Sequence, residues 1–206
     1  MPKILKLLYE KKGNKMLNFT YGVMGSSKSA QALITRYNYC QKGFNVILIK
    51  PSIDNRDDSE VKRTVSSRIG INAQCIVFDK TENLIDLFIN NIDRYKHNIV
   101  IVDEVQFCTK QQINQLRLLA KDVLVMCYGL KTNYKSELFE GSKRLIEIAD
   151  NIECIPYICR CGKNALINAR MVNGKPIVEG NEIDIGGNEK YEALCFECWN
   201  NLLNKK

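Results

Sequence analysis

Short apolar runs alternate with amphipathic segments through the first two thirds of the chain, and this alternation predicts strands and helices in turn. The first run starts at Asn18 and leads into a loop of small residues. The others cover residues 45–50, 75–78, 98–102 and 123–128. Continuous runs of this length are typical of strands buried on both faces of a parallel sheet. Residues 56–68 are polar and lack periodicity, so we expect a mobile loop there.

The segments between the runs carry apolar residues three and four positions apart, which predicts amphipathic helices. The first helix has Ala30, Leu33, Ile34 and Tyr37 on one face and ends at Gly43. Others are predicted around residues 84–92 and over residues 110–120. This order implies an α/β fold with a mainly parallel sheet, helices on both faces, and ligands at the carboxyl ends of the strands.

The alternation stops after Gly129. A short helix around Leu145 is followed by a stretch rich in glycine and asparagine, with two predicted hairpin strands, between two pairs of cysteines. We therefore expect two domains, an α/β domain over residues 1–150 and a small domain over residues 151–206.

With 206 residues, 45% of them hydrophobic, the chain can build one full domain and a small appendage. No apolar run approaches the roughly 20 residues that cross a bilayer, and the lysine-rich start does not read as a signal peptide, so we expect a cytoplasmic protein without membrane contact. Lysines near both ends account for much of the net charge of +7. Without a basic stripe that carries aromatic residues, nucleic acid is not an expected partner.

The loop from Gly22 to Ser29 has the composition of a phosphate cradle between a strand and a helix. Small residues let successive backbone N–H groups face phosphate oxygens, Lys28 adds a positive charge, and the Ser29 hydroxyl can hold Mg²⁺. The match to the phosphate-loop pattern is incomplete, because Ser27 stands where a glycine is expected. A polar turn that caps an ordinary helix is the alternative.

A second candidate element follows about 75 residues after Lys28, where the run 98–102 ends in Asp103 and Glu104. A carboxylate at the tip of a buried strand is the usual magnesium partner of a phosphate loop. Two solvated acids at a strand end are the alternative, and the upstream loop makes the magnesium site the stronger interpretation.

The nine cysteines form two groups. Five are scattered through apolar or helical segments, where they fit as small buried side chains in a reducing compartment. Cys159, Cys161, Cys195 and Cys198 make two close pairs about 35 residues apart, and four thiolates in this pattern can close a zinc site that stabilises a small domain. Free thiols or a redox pair are the alternative, since Cys-x-Cys is less usual at zinc. Cys154 is a reserve ligand if Cys159 cannot reach.

Five segments together resemble the type II thymidine kinase family, and the resemblance extends over residues 16–199. They are the loop 22–29, the piece 65–70, the run 102–107, the segment 127–139 and the segment 185–191. The chain looks closest to the bacterial branch with a first Cys-x-Cys pair. The resemblance implies a P-loop NTPase-like (RecA-like) domain that transfers the γ-phosphoryl group of ATP to the 5′-hydroxyl of thymidine, yielding dTMP in salvage for DNA synthesis.

The resemblance also assigns roles within the phosphate site. The residues implied to hold ATP and Mg²⁺ are Gly22, Val23, Met24, Gly25, Ser26, Ser27, Lys28, Ser29 and Asp103. The implied catalytic residues are Glu104, as general base, Lys28, and Arg56, which would neutralise developing phosphate charge.

The implied thymidine pocket is built from backbone groups and apolar walls. Its residues are Met24, Asp54, Phe107, Leu130, Tyr134, Phe139, Ile185, Gly186 and Tyr191. Gly186 would let backbone approach the nucleoside closely, and Gln106 is a weaker candidate that would orient a neighbour. Without the resemblance, Phe107, Leu130 and Phe139 read more simply as core residues.

Residues 165–191 resemble the family's lasso, a loop pinned by Zn²⁺ that closes over the nucleoside. Four thiolates leave no open position for substrate, so this zinc would be structural. The family further implies a homotetramer and feedback inhibition by dTTP.

Ser27 is the main departure from the family pattern. If the backbone needs a positive φ there, serine costs on the order of 1 kcal/mol. Two other functions stay open at this point. A catalytically impaired P-loop protein would bind nucleotide without transfer, and a zinc-ribbon protein would bind DNA with salt-sensitive affinity.

Overall fold

The computed structural model describes residues 15–52, 63–179 and 190–204. Its centre is a six-stranded sheet in which every neighbouring pair is parallel. In spatial order these strands are β5 (Ile76–Phe78), β2 (Asn45–Pro51), β6 (Asn98–Val102), β7 (Leu124–Gly129), β1 (Met16–Tyr21) and β8 (Asn151–Cys154). The predicted parallel α/β architecture is confirmed.

Helices cover both faces of this sheet. They are α1 (Lys28–Gln41), α2 (Leu84–Asn91), α3 (Lys110–Leu119) and α4 (Glu140–Ile148), with a 3₁₀ turn at Val105–Phe107. None of the helices in the described ranges is both long enough and apolar enough to cross a membrane.

Alternate residues of the central strand β6 enter two separate cores. Val100 and Val102 belong to the core under α2, α3 and α4, whereas Ile99 and Ile101 belong to the core under α1. Burial on both faces explains why residues 99–102 are all apolar, since successive side chains of a strand point in opposite directions.

The buried face of α1 is narrower than the apolar face that the sequence pattern predicts. Ala30 and Leu33 are buried, but Ile34 is 49% exposed and Tyr37 is 61% exposed. The helix therefore contacts the sheet along one edge of that pattern. The expected end is confirmed, because Gly43 follows the helix with φ +80°.

A short hairpin was not anticipated from the sequence. Residues 64–66, which we expected in a mobile loop, form strand β3 (Thr64–Ser66), paired antiparallel with β4 (Asn72–Gln74). Val65 is the residue that anchors it, with its side chain buried in the core under α1. One apolar residue between polar neighbours gives too little periodicity to predict a strand.

The cysteine-bearing segment forms its own three-stranded antiparallel sheet. Its strands are β9 (Ile167–Val172), β10 (Lys175–Ile177) and β11 (Tyr191–Leu194), in the order β10-β9-β11, and α5 (Phe196–Leu203) follows. Strand β8 begins where we placed the domain boundary but pairs with β1 of the large sheet. A boundary drawn by sheet membership therefore falls after Cys154.

Candidate active site

The loop between β1 and α1 has the tight backbone of a phosphate cradle. Gly25 and Ser27 both adopt positive φ, +87° and +64°. Gly22 has no room for a side chain, because a Cβ there would lie 2.3 Å from Ser26 Oγ. Ser26 is itself buried. The small residues of this loop are therefore required by its own packing.

Ser27 occupies the left-handed region that favours glycine, which is the condition under which we expected a strain cost. Its φ of +64° and ψ of 25° place the strain directly before α1. This conformation costs a non-glycine residue about 1–2 kcal/mol. The Ser27 side chain is exposed, and the turn keeps the N–H of Gln31 bonded to its carbonyl at 2.9 Å. The cradle accommodates serine at this cost.

Lys28 is the cation of the loop and is only 8% exposed. Its Nζ donates to the carbonyl oxygen of Val23 at 2.8 Å. Burial lowers the pKa of Lys28, whereas the nearby charges of Glu104 and Asp103 act in the opposite direction. A buried ammonium group within a loop of small residues is suited to an anionic ligand.

Asp103, directly after β6, interacts with Lys28 and Ser29 of the loop. Asp103 is 4% exposed, its carboxylate hydrogen-bonds with the Ser29 side chain, and its backbone N–H donates to Ile49 O at 3.0 Å. Burial, and then the charge of Glu104, raise the pKa of Asp103 to about 7. A cation between Asp103 and Ser29 would remove that penalty, so the two oxygen groups fit a Mg²⁺ site.

Glu104 is held by a hydrogen-bonded relay through a buried glutamine. Gln106 Nε2 donates to Glu104 Oε2 at 2.6 Å, and Gln106 Oε1 accepts from the Leu130 backbone N–H at 3.0 Å. Ser142 Oγ donates to Leu130 O at 2.5 Å, so both backbone groups of Leu130 are engaged. Glu104 also has a positive φ, +53°. The weak candidate Gln106 is thus the residue that orients the carboxylate.

The predicted nucleoside wall falls into two groups of aromatic residues. Phe107 and Phe139 pack edge to face with ring centroids 5.7 Å apart. Tyr134 is buried, stacks with the Arg170 guanidinium at 5.6 Å and donates from its hydroxyl to Glu179 O at 3.1 Å.

Tyr191 joins the second group through Arg170, its partner in the β9–β11 ladder. Burial raises the pKa of Tyr191, against the charge of Arg170. The phenylalanine pair therefore supplies apolar surface and the second group adds polar atoms, a combination that a nucleoside pocket requires. Four predicted site residues lie outside the described residues: Asp54, Arg56, Ile185 and Gly186.

Four cysteines converge as predicted from their spacing. The Sγ atoms of Cys159, Cys161, Cys195 and Cys198 all lie within 4.8 Å of one another, and those of Cys161 and Cys195 are 3.6 Å apart. Tetrahedral zinc with Zn–S bonds of about 2.3 Å would separate its sulfurs by about 3.8 Å. Cys154 is not part of this cluster. The cluster contains the four cysteines first predicted as zinc ligands and not the reserve candidate Cys154.

The four thiols do not ionise alike. Burial opposes ionisation of Cys159, but hydrogen bonds from the backbone and thiols of Cys161 and Cys195 outweigh it and lower the pKa of Cys159 to about 6. Hydrogen bonds with the thiols of Cys161 and Cys195 raise the pKa of Cys198 to about 12. Four thiolates this close need a cation between them, so the donor set fits a structural metal.

Two residues that the sequence analysis did not single out also contact the phosphate loop. Arg68, at the tip of the β3–β4 hairpin, places Nη1 3.2 Å from where a Cβ on Gly25 would lie. Asn168 of β9 accepts a hydrogen bond from the Met24 backbone N–H at 2.6 Å. The segment 65–70 had been noted only for its resemblance, and no local signal marks Asn168.

Comparison with known proteins gives a consistent result. A model of the thymidine kinase family matches residues 15–199. The chain is 39% identical over 192 residues to a thymidine kinase of Enterobacteria phage T4, covering 92% of this chain and 97% of that protein. It is 39% identical over 182 residues to a thymidine kinase of Shewanella oneidensis, covering 87% and 93%. A thymidine kinase of Rhodopirellula baltica is 37% identical over 182 residues, covering 87% and 85%.

Proposed function

Because the chain belongs to the thymidine kinase family, we propose that it transfers the γ-phosphoryl group of ATP to the 5′-hydroxyl of thymidine and releases dTMP and ADP. The observation that carries the proposal is the convergence of Lys28, Asp103 and Glu104. Lys28 begins α1 after the loop that follows β1, Asp103 and Glu104 directly follow β6, and the charges of all three interact.

The phosphate loop and the strand tip supply the electrostatic part of the reaction. Lys28 and loop N–H groups neutralise charge on the β- and γ-phosphates, and Ser29 with Asp103 holds Mg²⁺. Mg²⁺ held by these two residues would offset the negative charge of the phosphate oxygens. Because these groups are fixed before substrate enters, they stabilise charge in the transition state without reorganising.

Glu104 acts as the general base. The thymidine 5′-oxygen forms a bond to the γ-phosphorus while the bond from that phosphorus to the β–γ bridging oxygen breaks, and the hydroxyl proton passes to the Glu104 carboxylate. Gln106 fixes the direction of that carboxylate through its 2.6 Å bond to Oε2. Phosphoryl transfer depends mainly on positioning, so this orientation contributes directly to rate.

We extend the proposal to the nucleoside pocket and to the small domain. Phe107, Leu130, Tyr134, Phe139 and Tyr191 form the described part of the thymidine pocket, and Zn²⁺ in the cysteine cluster stabilises the lasso that closes over it. Assembly as a homotetramer and inhibition by dTTP stay predictions that rest on the family alone, and cytoplasmic location stays a prediction from the sequence.

A nucleoside panel with γ-labelled ATP tests the proposed reaction. Thymidine should accept label in the presence of Mg²⁺, with purine nucleosides far below it. Glu104→Gln should abolish transfer and leave ATP affinity within about twofold, since the amide keeps the shape but cannot take the proton. If thymidine acquires no label from ATP in the presence of the unmodified protein, the proposal is refuted.

An impaired P-loop protein is the alternative raised by Ser27, and it is not favoured. The relatives of this chain are named thymidine kinases, and the loop accommodates serine at a modest strain cost.

A further inference from the structure

The phosphate loop is attached to the cysteine-bearing sheet by a buried hydrogen bond. The Met24 backbone N–H donates to Asn168 Oδ1 at 2.6 Å, between residues 144 positions apart in sequence. Asn168 is 4% exposed. A buried amide side chain aimed at a loop N–H is costly to leave unpaired, so this contact is specific.

The same stretch of loop is also held by apolar packing. Val23 is 5% exposed and lies in the core cluster of the small sheet. The other buried members of that cluster are Cys159, Ala165, Ala169, Leu194 and Cys195. A phosphate-loop side chain therefore completes the core that surrounds two of the four clustered cysteines.

These contacts bear directly on the lysine of the loop. The carbonyl of Val23 accepts from Lys28 Nζ at 2.8 Å and from the Ser26 N–H at 3.2 Å. The peptide between Val23 and Met24 thus has its carbonyl directed toward Lys28 and its N–H directed toward Asn168. Rotation of this peptide would disturb both partners at once.

We propose that Asn168 is a positioning residue that sets the phosphate loop in its anion-binding shape from the small sheet. The proposal rests on the proposed function, in which this loop holds ATP. Asn168 acts through Met24 and makes no contact with the reacting atoms. Its loss should weaken binding of the triphosphate more than binding of the nucleoside.

Three variants test the proposal in the full-length protein. Asn168→Leu keeps the side-chain size and removes the acceptor, and Asn168→Asp keeps an oxygen acceptor. Ile167→Val is the matched control, because Ile167 is equally buried in the same strand but does not bond Met24. Hydrogen exchange of the Met24 amide, zinc content, and the affinities for ATP and thymidine are measured for each.

In Asn168→Leu we expect faster exchange at Met24 and an ATP affinity about five- to tenfold weaker, the equivalent of one hydrogen bond. Thymidine affinity and zinc content should stay within about twofold of the unmodified protein. Asn168→Asp should restore protection of the Met24 amide without nucleotide, and Ile167→Val should leave both readouts unchanged. If Asn168→Leu does not fold, Asn168→Ala removes the acceptor with less crowding.

Unchanged Met24 exchange and ATP affinity in the variants without the acceptor would overturn the proposal, as would equal weakening for ATP and thymidine. The exchange measurement needs no turnover. Failure of the unmodified protein to bind ATP would count against the proposed function, while Met24 exchange would still decide the role of Asn168.

Discussion

Two non-glycine residues in the left-handed backbone region, Ser27 and Glu104, lie at the two ends of the proposed reaction site. Their φ values are +64° and +53°. Such residues persist where surrounding contacts hold them, and they concentrate at functional sites. Ser27 directly precedes Lys28, and Glu104 directly follows Asp103, the proposed magnesium ligand. The left-handed backbone at these two positions sets the direction in which Lys28 and Glu104 leave the chain, and it does so at a cost in stability.

Replacement of Ser27 by glycine measures this strain. Relief of the positive φ is worth about 1–2 kcal/mol, and the extra freedom of glycine in the unfolded chain offsets about 0.5–1 kcal/mol of it. We expect the free energy of unfolding to rise by about 0–1.5 kcal/mol in urea denaturation, with kcat unchanged or higher. A loss of more than about 1 kcal/mol would show that the hydroxyl makes a needed contact.

Replacement of Gln106 by leucine removes the group that orients Glu104. Hydrogen bonds to charged groups contribute about 1.5–3 kcal/mol, so kcat should fall about ten- to hundredfold. Gln112→Leu is the matched control, because Gln112 is also 2% exposed but bonds the carbonyl of Asp79 in another part of the molecule. Equal kcat values for the two variants would argue against a positioning role.

At the level of elements, α4 packs closely onto the 3₁₀ turn that follows Glu104. A Cβ on Gly141 would lie 2.6 Å from Val105 O and 2.8 Å from Cys108 O. Both neighbours are backbone atoms that cannot rotate away. The first turn of α4 therefore fixes how far the 3₁₀ turn that carries Gln106 lies from the helix.

Gly141→Ala sets two effects against each other. Helix propensity alone favours alanine by about 1 kcal/mol, whereas overpacking costs about 1–3 kcal/mol. We expect crowding to prevail, with a lower free energy of unfolding and reduced kcat. Gly43→Ala is the comparison, since nothing lies within 4 Å of a Cβ there and its φ is +80°. It should lose stability without any loss of kcat per folded molecule.

The elements differ in how far sequence could predict them. Strand β6 and the loop after β1 carry their signal within a few consecutive residues, so both were predicted with their site residues. Strand β3 was missed, because Val65 is the one residue of that strand buried in the core. The Met24 to Asn168 bond joins residues 144 positions apart. No local pattern encodes such a contact, and Gln106 gained its role only from the folded position of Leu130.

At the scale of the whole molecule, two of the clustered cysteines pack against the loop after β1 as well as within the small sheet. Cys159 and Cys195 share a buried core with Val23. The metal would therefore contribute to both ends of the proposed substrate assembly, the nucleoside pocket and the triphosphate cradle.

Metal removal should thus loosen a defined part of the chain. Chelation should increase hydrogen exchange in residues 159–199 and at Met24, while β6 and β7 stay protected, and added zinc should reverse the change. Cys159→Ser should lose bound zinc. Cys154→Ser should retain it, because Cys154 is exposed and outside the cluster. Uniform loosening of both sheets would contradict this division.

The most direct measurement of the central claim is a structure with thymidine and a non-hydrolysable ATP analogue bound together. We expect the γ-phosphate between Lys28 and the Asp103–Ser29 pair, and the 5′-oxygen about 2.6–3.2 Å from the Glu104 carboxylate, in line with the phosphorus. A nucleoside whose 5′-oxygen lies beyond hydrogen-bond reach of Glu104, or a triphosphate away from Lys28, would contradict the account.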